Sequence, residues 1–267
     1  MNSRVLNLLK LIFISLVILL ILVIFLLYKI ISSNENFKVI NSITKEYNVD
    51  NISSINFDFK NVKVIYTNTN SNELVIKQTG KNKSYLVNDY KVNNNLYFKE
   101  LPSNIFVKTN YKIFIPKKYI NKININNGFG NIKIDSFNNK ININNNSGNI
   151  VIGKIDNSVI KNVSGNINIK KVNKINVEST TGDILIDNIT DSANINTITG
   201  NIVINKYEIN NNSDIETISG NIIIKVDKNS KCLLKIKSNN KNISEKVCLE
   251  GINLLSITNE VGEVTIK

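Results

Sequence analysis

One short pattern returns along the second half of the chain at a nearly constant interval: glycine, a polar residue, then an apolar residue at every second position. Six copies follow one another 17 to 20 residues apart, with glycines at Gly130, Gly148, Gly165, Gly182, Gly200 and Gly220. A seventh copy begins at Gly262, 42 residues further on. An interval of this size is typical of a solenoid, in which each copy forms one coil and buries its apolar side against neighbouring coils.

Alignment of the copies on the glycine shows which side of each coil faces inward. The positions two and four residues after the glycine hold isoleucine in all six regular copies. Apolar residues at every second position predict β-strands with one buried face, and β-branched side chains suit such strands. The sequence therefore predicts an all-β fold, a single-stranded β-solenoid similar to a parallel β-helix with about 17–20 residues per coil.

Each glycine lies between two predicted strands, where the coil has to turn a corner. Glycine adopts a positive φ there without steric cost. The six glycines from Gly130 to Gly220 are therefore predicted structural turn residues. The next residue is Asn five times and Asp once, and both residue types suit turns. Stacked Asn side chains are also expected to bond to one another along the solenoid.

The N-terminal segment differs from the rest of the chain, because residues 11–28 form an uncharged apolar run. A helix of this length spans about 27 Å, close to the roughly 30 Å hydrocarbon core of a bilayer. A cleaved signal peptide is the alternative, but Ile30 and Ile31 replace the small residues of a cleavage site. We expect one uncleaved transmembrane helix, a single-pass chain in the cell membrane and an extracytoplasmic C-terminal body.

These patterns divide the chain into four regions. The predicted regions are a short tail and transmembrane anchor over residues 1–32, a stalk over 33–50, an irregular β cap over 51–120, and regular coils with a C-terminal cap over 121–267. The cap region has strand patterns without the regular glycine. Such a cap shields the apolar end of a solenoid and keeps it soluble.

The chain is basic, with a formal net charge of +12. Arg4, Lys10 and Lys29 are the only charged residues of the first 32, so the rest carries +9. A basic surface favours an anionic envelope polymer or lipid headgroups, and a membrane or envelope protein is a further candidate partner. Nucleic acid is the least expected partner, because Arg4 is the only arginine. The alternative is that the lysines only solubilise a long β surface.

Reactive groups are few. The chain has no histidine, which excludes Ser–His and Cys–His nucleophile pairs and histidine zinc sites. No catalytic, cofactor-binding or metal residue is predicted, and no cofactor. Carboxylates remain as candidates for glycan cleavage, but Asp183, Asp187 and Asp191 follow their glycine by different numbers of residues. Scattered turn aspartates account for them better.

The two cysteines, Cys232 and Cys248, are 16 residues apart, nearly one coil. Stacked coils bring such residues within reach of a disulfide if the body is exported. Two unrelated buried thiols are the alternative. A count of free thiols on denatured, unreduced protein separates the two, since a result of two thiols contradicts the bridge.

The repeats Ser/Thr-Gly-Asn/Asp-Ile-x-Ile between Ser147 and Ile224 carry a family resemblance, as do the steps Ile113–Lys117 and Asn61–Val64. Together they resemble the bacterial putative-adhesin family, from about residue 50 to the end of the chain. The resemblance implies a β-solenoid domain of largely uncharacterised function, often tethered to the envelope by an N-terminal segment. Some relatives accompany regulators of envelope stress. The resemblance implies no catalytic motif.

The sequence thus predicts a membrane-anchored extracytoplasmic β-solenoid that is not an enzyme. It is expected to act as a binding, adhesion or envelope-stress accessory module. The first alternative is a membrane-attached scaffold that assembles with itself, as bactofilin-like β-helices do. The second alternative is a glycan-active β-helix enzyme. The ligand and the oligomeric state stay open.

Overall fold

The computed structural model describes Val23 and residues 41–60, 62–80, 84–102, 109–243 and 251–267. From residue 41 onward, the regular elements of the described residues are all strands, as the all-β prediction requires. The strands are β1 (Asn41–Asn48), β2 (Ser54–Phe59), β3 (Lys63–Thr69), β4 (Glu73–Gly80), β5 (Val87–Val92), β6 (Asn95–Glu100), β7 (Thr109–Pro116), β8 (Lys122–Phe129), β9 (Ile132–Ser136), β10 (Ile141–Ser147), β11 (Ile150–Ser164), β12 (Ile167–Thr181), β13 (Ile184–Ile186), β14 (Ile189–Thr199), β15 (Ile202–Tyr207), β16 (Ser213–Ser219), β17 (Ile222–Val226), β18 (Cys232–Lys237), β19 (Lys241–Ile243), β20 (Asn253–Val261) and β21 (Val264–Ile266).

The glycine repeats form coils that pair in parallel and in register. Before the glycines, β8, β10, β11, β12, β14 and β16 pair in that order. After the glycines, the order is β9, β11, β12, β13, β15 and β17. Paired residues are equivalent positions of successive copies, such as Ile125 with Ile143 and Ile132 with Ile150. This pairing confirms the predicted β-solenoid.

Columns of isoleucine fill the interior of the coils. The first isoleucine after each regular glycine exposes 1% of its surface or less, at Ile132, Ile150, Ile167, Ile184, Ile202 and Ile222. The residues between the buried positions face outward, as strand geometry requires. Burial of one such side chain contributes roughly 1.5–3 kcal/mol, so the stacked columns supply the main stabilisation of the body.

At the N-terminal end, the order of the coils in space differs from their order in the sequence. β2 and β3 form a coil that pairs in parallel with β8 and β9 on one side. On the other side the same coil pairs in parallel with β6 and β7. The chain therefore forms the inner coil of β2 and β3 first and the outer coil of β6 and β7 second. It then returns to the other side of the inner coil, where β8 and β9 follow. The region predicted as an irregular cap, residues 51–120, thus contributes two coils of its own.

Antiparallel strands cover the outer coil at this end. β4 pairs with β7, β1 with β4, and β5 with β6, all antiparallel. β1 corrects part of the predicted stalk over residues 33–50, because Asn41–Asn48 is a strand of the sheet. An aromatic contact adds to this pairing: the ring centroids of Tyr47 and Phe98 lie 4.8 Å apart, edge to face.

The C-terminal end repeats the same non-sequential order. β20 and β21 pair directly with β16 and β17, whereas β18 and β19 lie outside them. Gly262 consequently stacks on Gly220, the preceding regular glycine. The 42-residue step in the sequence therefore contains one complete outer coil.

The predicted tail and anchor over residues 1–32 lie outside the described residues, apart from Val23. Within the part of the chain that the structure describes, no helix has the length and apolar character needed to cross a bilayer. Residues 41–267 form a compact unit by themselves.

Candidate binding surface

The repeat glycines determine how closely the coils stack. All six have a positive φ, between +119° and +150°. A Cβ atom added at Gly182 would lie 2.3 Å from the carbonyl oxygen of Gly165, far inside van der Waals contact. Both the backbone conformation and the close approach of the preceding coil therefore require glycine. The resulting stacking places equivalent outward side chains in straight rows.

The residues that follow the glycines form an exposed hydrogen-bond ladder. The side-chain oxygen of Asn131 accepts a hydrogen bond from the backbone N–H of Asn149, with 2.9 Å between the atoms. The same bond repeats at 2.8–3.0 Å along the column Asn149, Asn166, Asp183, Asn201, Asn221 and Glu263. The expected Asn ladder is thus mainly a side-chain-to-backbone ladder. It satisfies backbone donors at the corners.

A second polar ladder is buried, and the sequence interpretation missed it. It lies three residues before each glycine, where all members expose 7% or less: Asn127, Asn145, Asn162, Ser179, Thr197, Thr217 and Asn259. The Asn145 side chain donates to the side-chain oxygen of Asn162 at 2.8 Å and to the carbonyl oxygen of Gly148 at 3.0 Å. The signal in the sequence is a column that is always polar inside otherwise apolar strands.

An exposed basic surface lies at the N-terminal end, on the outward side of β3, β4 and β7. We call Lys63, Lys77 and Lys112 the lysine face. Lys77 stands directly opposite Lys112 in the antiparallel pair of β4 and β7. Lys63 lies one strand further, opposite Asn110. The three lysines are exposed and line a concavity of about 390 Å³ together with Thr79 and Asn110.

The lysines of the lysine face have no ion-pair partner among the described residues. The ion pairs among the described residues involve other lysines, and none includes Lys63, Lys77 or Lys112. Like charges directly opposite each other in a sheet destabilise it. The ammonium of Lys112 lies 5.0 Å from the centroid of the Phe114 ring, a weak cation–π contact. A bound anion would relieve the repulsion, so the face has the electrostatics of an anion-binding surface.

The aspartates considered for glycan cleavage have separate contacts. Asp183 and Asp187 each accept a hydrogen bond from the asparagine one coil further on, at 3.0 Å and 2.9 Å. Asp191 forms an ion pair with a lysine of the preceding coil. Asp135 and Asp156 contact neighbours on their own strands. Among the described residues, no group of three acidic or cysteine side chains is arranged to hold a metal ion.

The predicted cysteine pair is described only in part. Cys232 begins β18 in the outer C-terminal coil and is fully buried. Cys248 lies outside the described residues. The disulfide between them therefore stays a prediction.

Comparison with known proteins gives one family. The family model described as Toastrack DUF4097 matches residues 28–261. No curated protein matches the chain.

Solved structures similar to the chain are distant in sequence. One is a putative adhesin from Bacteroides fragilis, with 17% identity, a TM-score of 0.44, and coverage of 85% of this chain and 97% of that chain. Another is a putative lipid binding protein from Parabacteroides distasonis, with 15% identity, a TM-score of 0.46 and the same coverage. A putative cell adhesion protein from Clostridium sporogenes has 12% identity and a TM-score of 0.37, with coverage of 85% and 99%.

Proposed function

The chain belongs to the Toastrack DUF4097 family, and we propose that it is a non-catalytic binding module of the cell envelope. In this proposal an N-terminal transmembrane helix anchors the chain, and the β-solenoid body lies outside the cytoplasm. The lysine face binds an anionic component of the envelope. The rigid stack of coils keeps the binding groups in a fixed arrangement.

The observation that carries this proposal is the lysine face itself. Three exposed lysines line one concavity, and none of them has an ion-pair partner among the described residues. Lys77 and Lys112 stand directly opposite each other, and the acidic residues of this outward side, Glu46 and Glu73, lie beside Val75 at one end of the face. The +9 charge outside the predicted anchor attracts anions over a longer range and steers them to this face.

Among the described residues, the carboxylates of the coils contact separate neighbours, which supports a role without catalysis. The chain has no histidine. The aspartates on the coils hold neighbouring asparagines and lysines rather than facing each other across a cleft. The glycan-active enzyme considered from the sequence therefore gains no support from the described residues.

Binding to an anionic polymer tests the proposal directly. Fluorescently labelled polyphosphate serves as the probe, and its anisotropy measures binding to the full chain in detergent. The triple variant K63Q/K77Q/K112Q is expected to bind about three- to hundred-fold more weakly, since each exposed charge contributes about 0.2–1 kcal/mol. The variant K231Q/K235Q/K237Q loses the same net charge at the other end of the body and is the matched control. Equal weakening in both variants would contradict a specific basic surface.

Protease shaving of intact cells tests the proposed location. Exported strands are expected to be lost from whole cells, while a cytoplasmic marker protein stays intact. Retention of the body on intact cells, with loss only after lysis, would place it in the cytoplasm and overturn this part of the proposal.

Self-assembly into a scaffold is the second candidate, because the C-terminal outer coil has an edge with no paired strand among the described residues. Among the described residues, β18 pairs only with β20, and β19 only with β21. The edge carries Lys235, Lys237 and Lys241, and such charges oppose edge-to-edge pairing. Sedimentation of residues 34–267 as a strict monomer at high concentration would contradict the scaffold, whereas concentration-dependent multimers would favour it.

A further inference from the structure

Apolar side chains lie among the charges of the lysine face. Ile65 stands beside Lys112 across β3 and β7, and Val75 stands opposite Phe114 across β4 and β7. All three apolar side chains are partly exposed, while their neighbours along each strand are buried. Alternation along a strand therefore places them on the same outward side as the lysines. The face therefore combines lysines with apolar side chains, and Glu46 and Glu73 lie beside Val75 at one end of it.

This combination of groups distinguishes between anionic partners. A soluble polyanion would use the charges and leave the apolar side chains in water. An anionic bilayer offers phosphate groups to the lysines and the upper acyl region to apolar side chains, as interfacial membrane-binding surfaces use both. Lysine stems also extend along apolar surface while the ammonium reaches the headgroups.

Three further acidic residues lie together on another side of the body. Glu178, Asp214 and Glu216 line a groove of about 450 Å³ on the outward side of β12, β14 and β16. An anionic bilayer repels that side of the coils. Further along the solenoid, on the same side as the lysine face, the outward positions hold Asp183 and Asp187. These acidic groups favour contact with anionic lipid at the N-terminal coils.

The chain also reaches the body beside this face. β1, the first described strand, pairs with β4, which carries Lys77. Twelve residues lie between Tyr28, at the end of the predicted apolar run, and Asn41. A segment of this length spans at most about 45 Å when fully extended. A tether of this length allows the lysine face to reach a bilayer that holds the predicted anchor.

We propose that the lysine face binds the surface of an anionic lipid bilayer. Lys63, Lys77 and Lys112 bind the phosphate headgroups, and the apolar side chains between them contact the acyl boundary. This inference rests on the proposed function and specifies its partner as lipid. It also gives the body an orientation, with the acidic groove turned away from the membrane.

The test uses the full chain in lipid nanodiscs and a limiting dose of an amine-acylating reagent, with labelling read at each lysine by mass spectrometry. Discs with phosphatidylglycerol are compared with discs of phosphatidylcholine alone. Labelling of the three lysines is expected to fall about five-fold in the anionic discs and to recover in about 0.5 M salt. Lys235 and Lys237, in the outer C-terminal coil, serve as internal controls and should label equally in both discs.

Variants separate lipid contact from general charge effects. In K77Q/K112Q, labelling of Lys63 in anionic discs should return toward the neutral-disc level, whereas K235Q/K237Q should leave the protection intact. Equal labelling of Lys63, Lys77 and Lys112 in both kinds of disc overturns the inference. Suppose that the lysines label equally in both discs, but polyphosphate binding is weakened in K63Q/K77Q/K112Q and not in K231Q/K235Q/K237Q. The proposed function then stands, and the lipid partner is wrong. If neither the protection in anionic discs nor the selective weakening of polyphosphate binding is observed, both the lipid partner and the proposed function are contradicted.

Discussion

At Gly182 the backbone has a φ of +132°, and the carbonyl oxygen of Gly165 occupies the space that a Cβ would need. Replacement by alanine combines backbone strain with a steric clash against the backbone of the preceding coil. We expect Gly182→Ala to lower the free energy of unfolding by about 2–4 kcal/mol. Urea unfolding of residues 34–267, followed by circular dichroism, measures this. Thr181→Ala at the exposed preceding residue is the control and should change stability by less than about 0.5 kcal/mol. A loss in Gly182→Ala no larger than the control would contradict the role of the glycine column.

Two threonines of the buried polar ladder differ in their hydrogen bonding. The hydroxyl of Thr217 donates to the carbonyl oxygen of Gly200 at 3.2 Å, whereas the buried hydroxyl of Thr197 has no hydrogen-bond partner in the described chain. Valine has nearly the same shape as threonine. We expect Thr217→Val to destabilise by about 1 kcal/mol and Thr197→Val to be neutral or stabilising. Thermal unfolding of the two variants side by side decides this, and equal shifts in the same direction would refute the distinction.

The outer and inner C-terminal coils provide a test of the non-sequential coil order. Ile257 in β20 pairs with Ile215 on one side and with Ile236 on the other, and it is buried. Ile236 in β18 has one paired neighbour among the described residues and is partly exposed. Ile257→Ala should therefore destabilise by about 2–5 kcal/mol, and Ile236→Ala by clearly less. Coils that followed the sequence order would reverse this ranking, because β18 would then be the inner strand.

The repeat pattern predicted the regular coils because each of their strands carries the same residues at the same interval. It did not predict the coil of β2 and β3, because Val62 stands where Gly130 stands one coil later. The pattern also did not predict the non-sequential order of the coils at the two ends, since apolar alternation indicates a strand but not which strand it pairs with. The lysine face was hidden for a related reason: Lys63, Lys77 and Lys112 lie far apart in the sequence and meet only through the pairing of β3, β4 and β7.

In the body as a whole, the polar side chains of the inward columns and the charged side chains of the outward rows have different roles. Asparagines and threonines at fixed positions in the coils satisfy the backbone where the chain turns. Lysines and carboxylates on the outward sides vary from coil to coil and form the uneven charge of the surface. Ligand recognition is therefore expected to depend on the variable outward rows, and stability on the repeated inward columns.

Buried tyrosines make the stability of the whole body depend on pH in the alkaline range. Burial raises the pKa of Tyr66, Tyr111 and Tyr207 well above the usual value. Burial also raises the pKa of Tyr85 to about 12. The unfolded chain loses these protons near pH 10, whereas the folded chain keeps them. The stabilisation is therefore complete below about pH 10 and is lost as the pH rises further, by about 1.4 kcal/mol per pH unit for each tyrosine.

Urea unfolding of residues 34–267 between about pH 8 and pH 12 measures this dependence. The urea midpoint should be nearly constant up to about pH 10 and fall steeply above it. Phenolate absorbance of the buried tyrosines should appear together with the loss of the β circular dichroism signal, because these rings ionise only when the coils open. Tyr66→Phe should reduce the slope, since one proton fewer is then released on unfolding. Full phenolate absorbance in a body that keeps its β signal would show that water reaches these rings in the folded state.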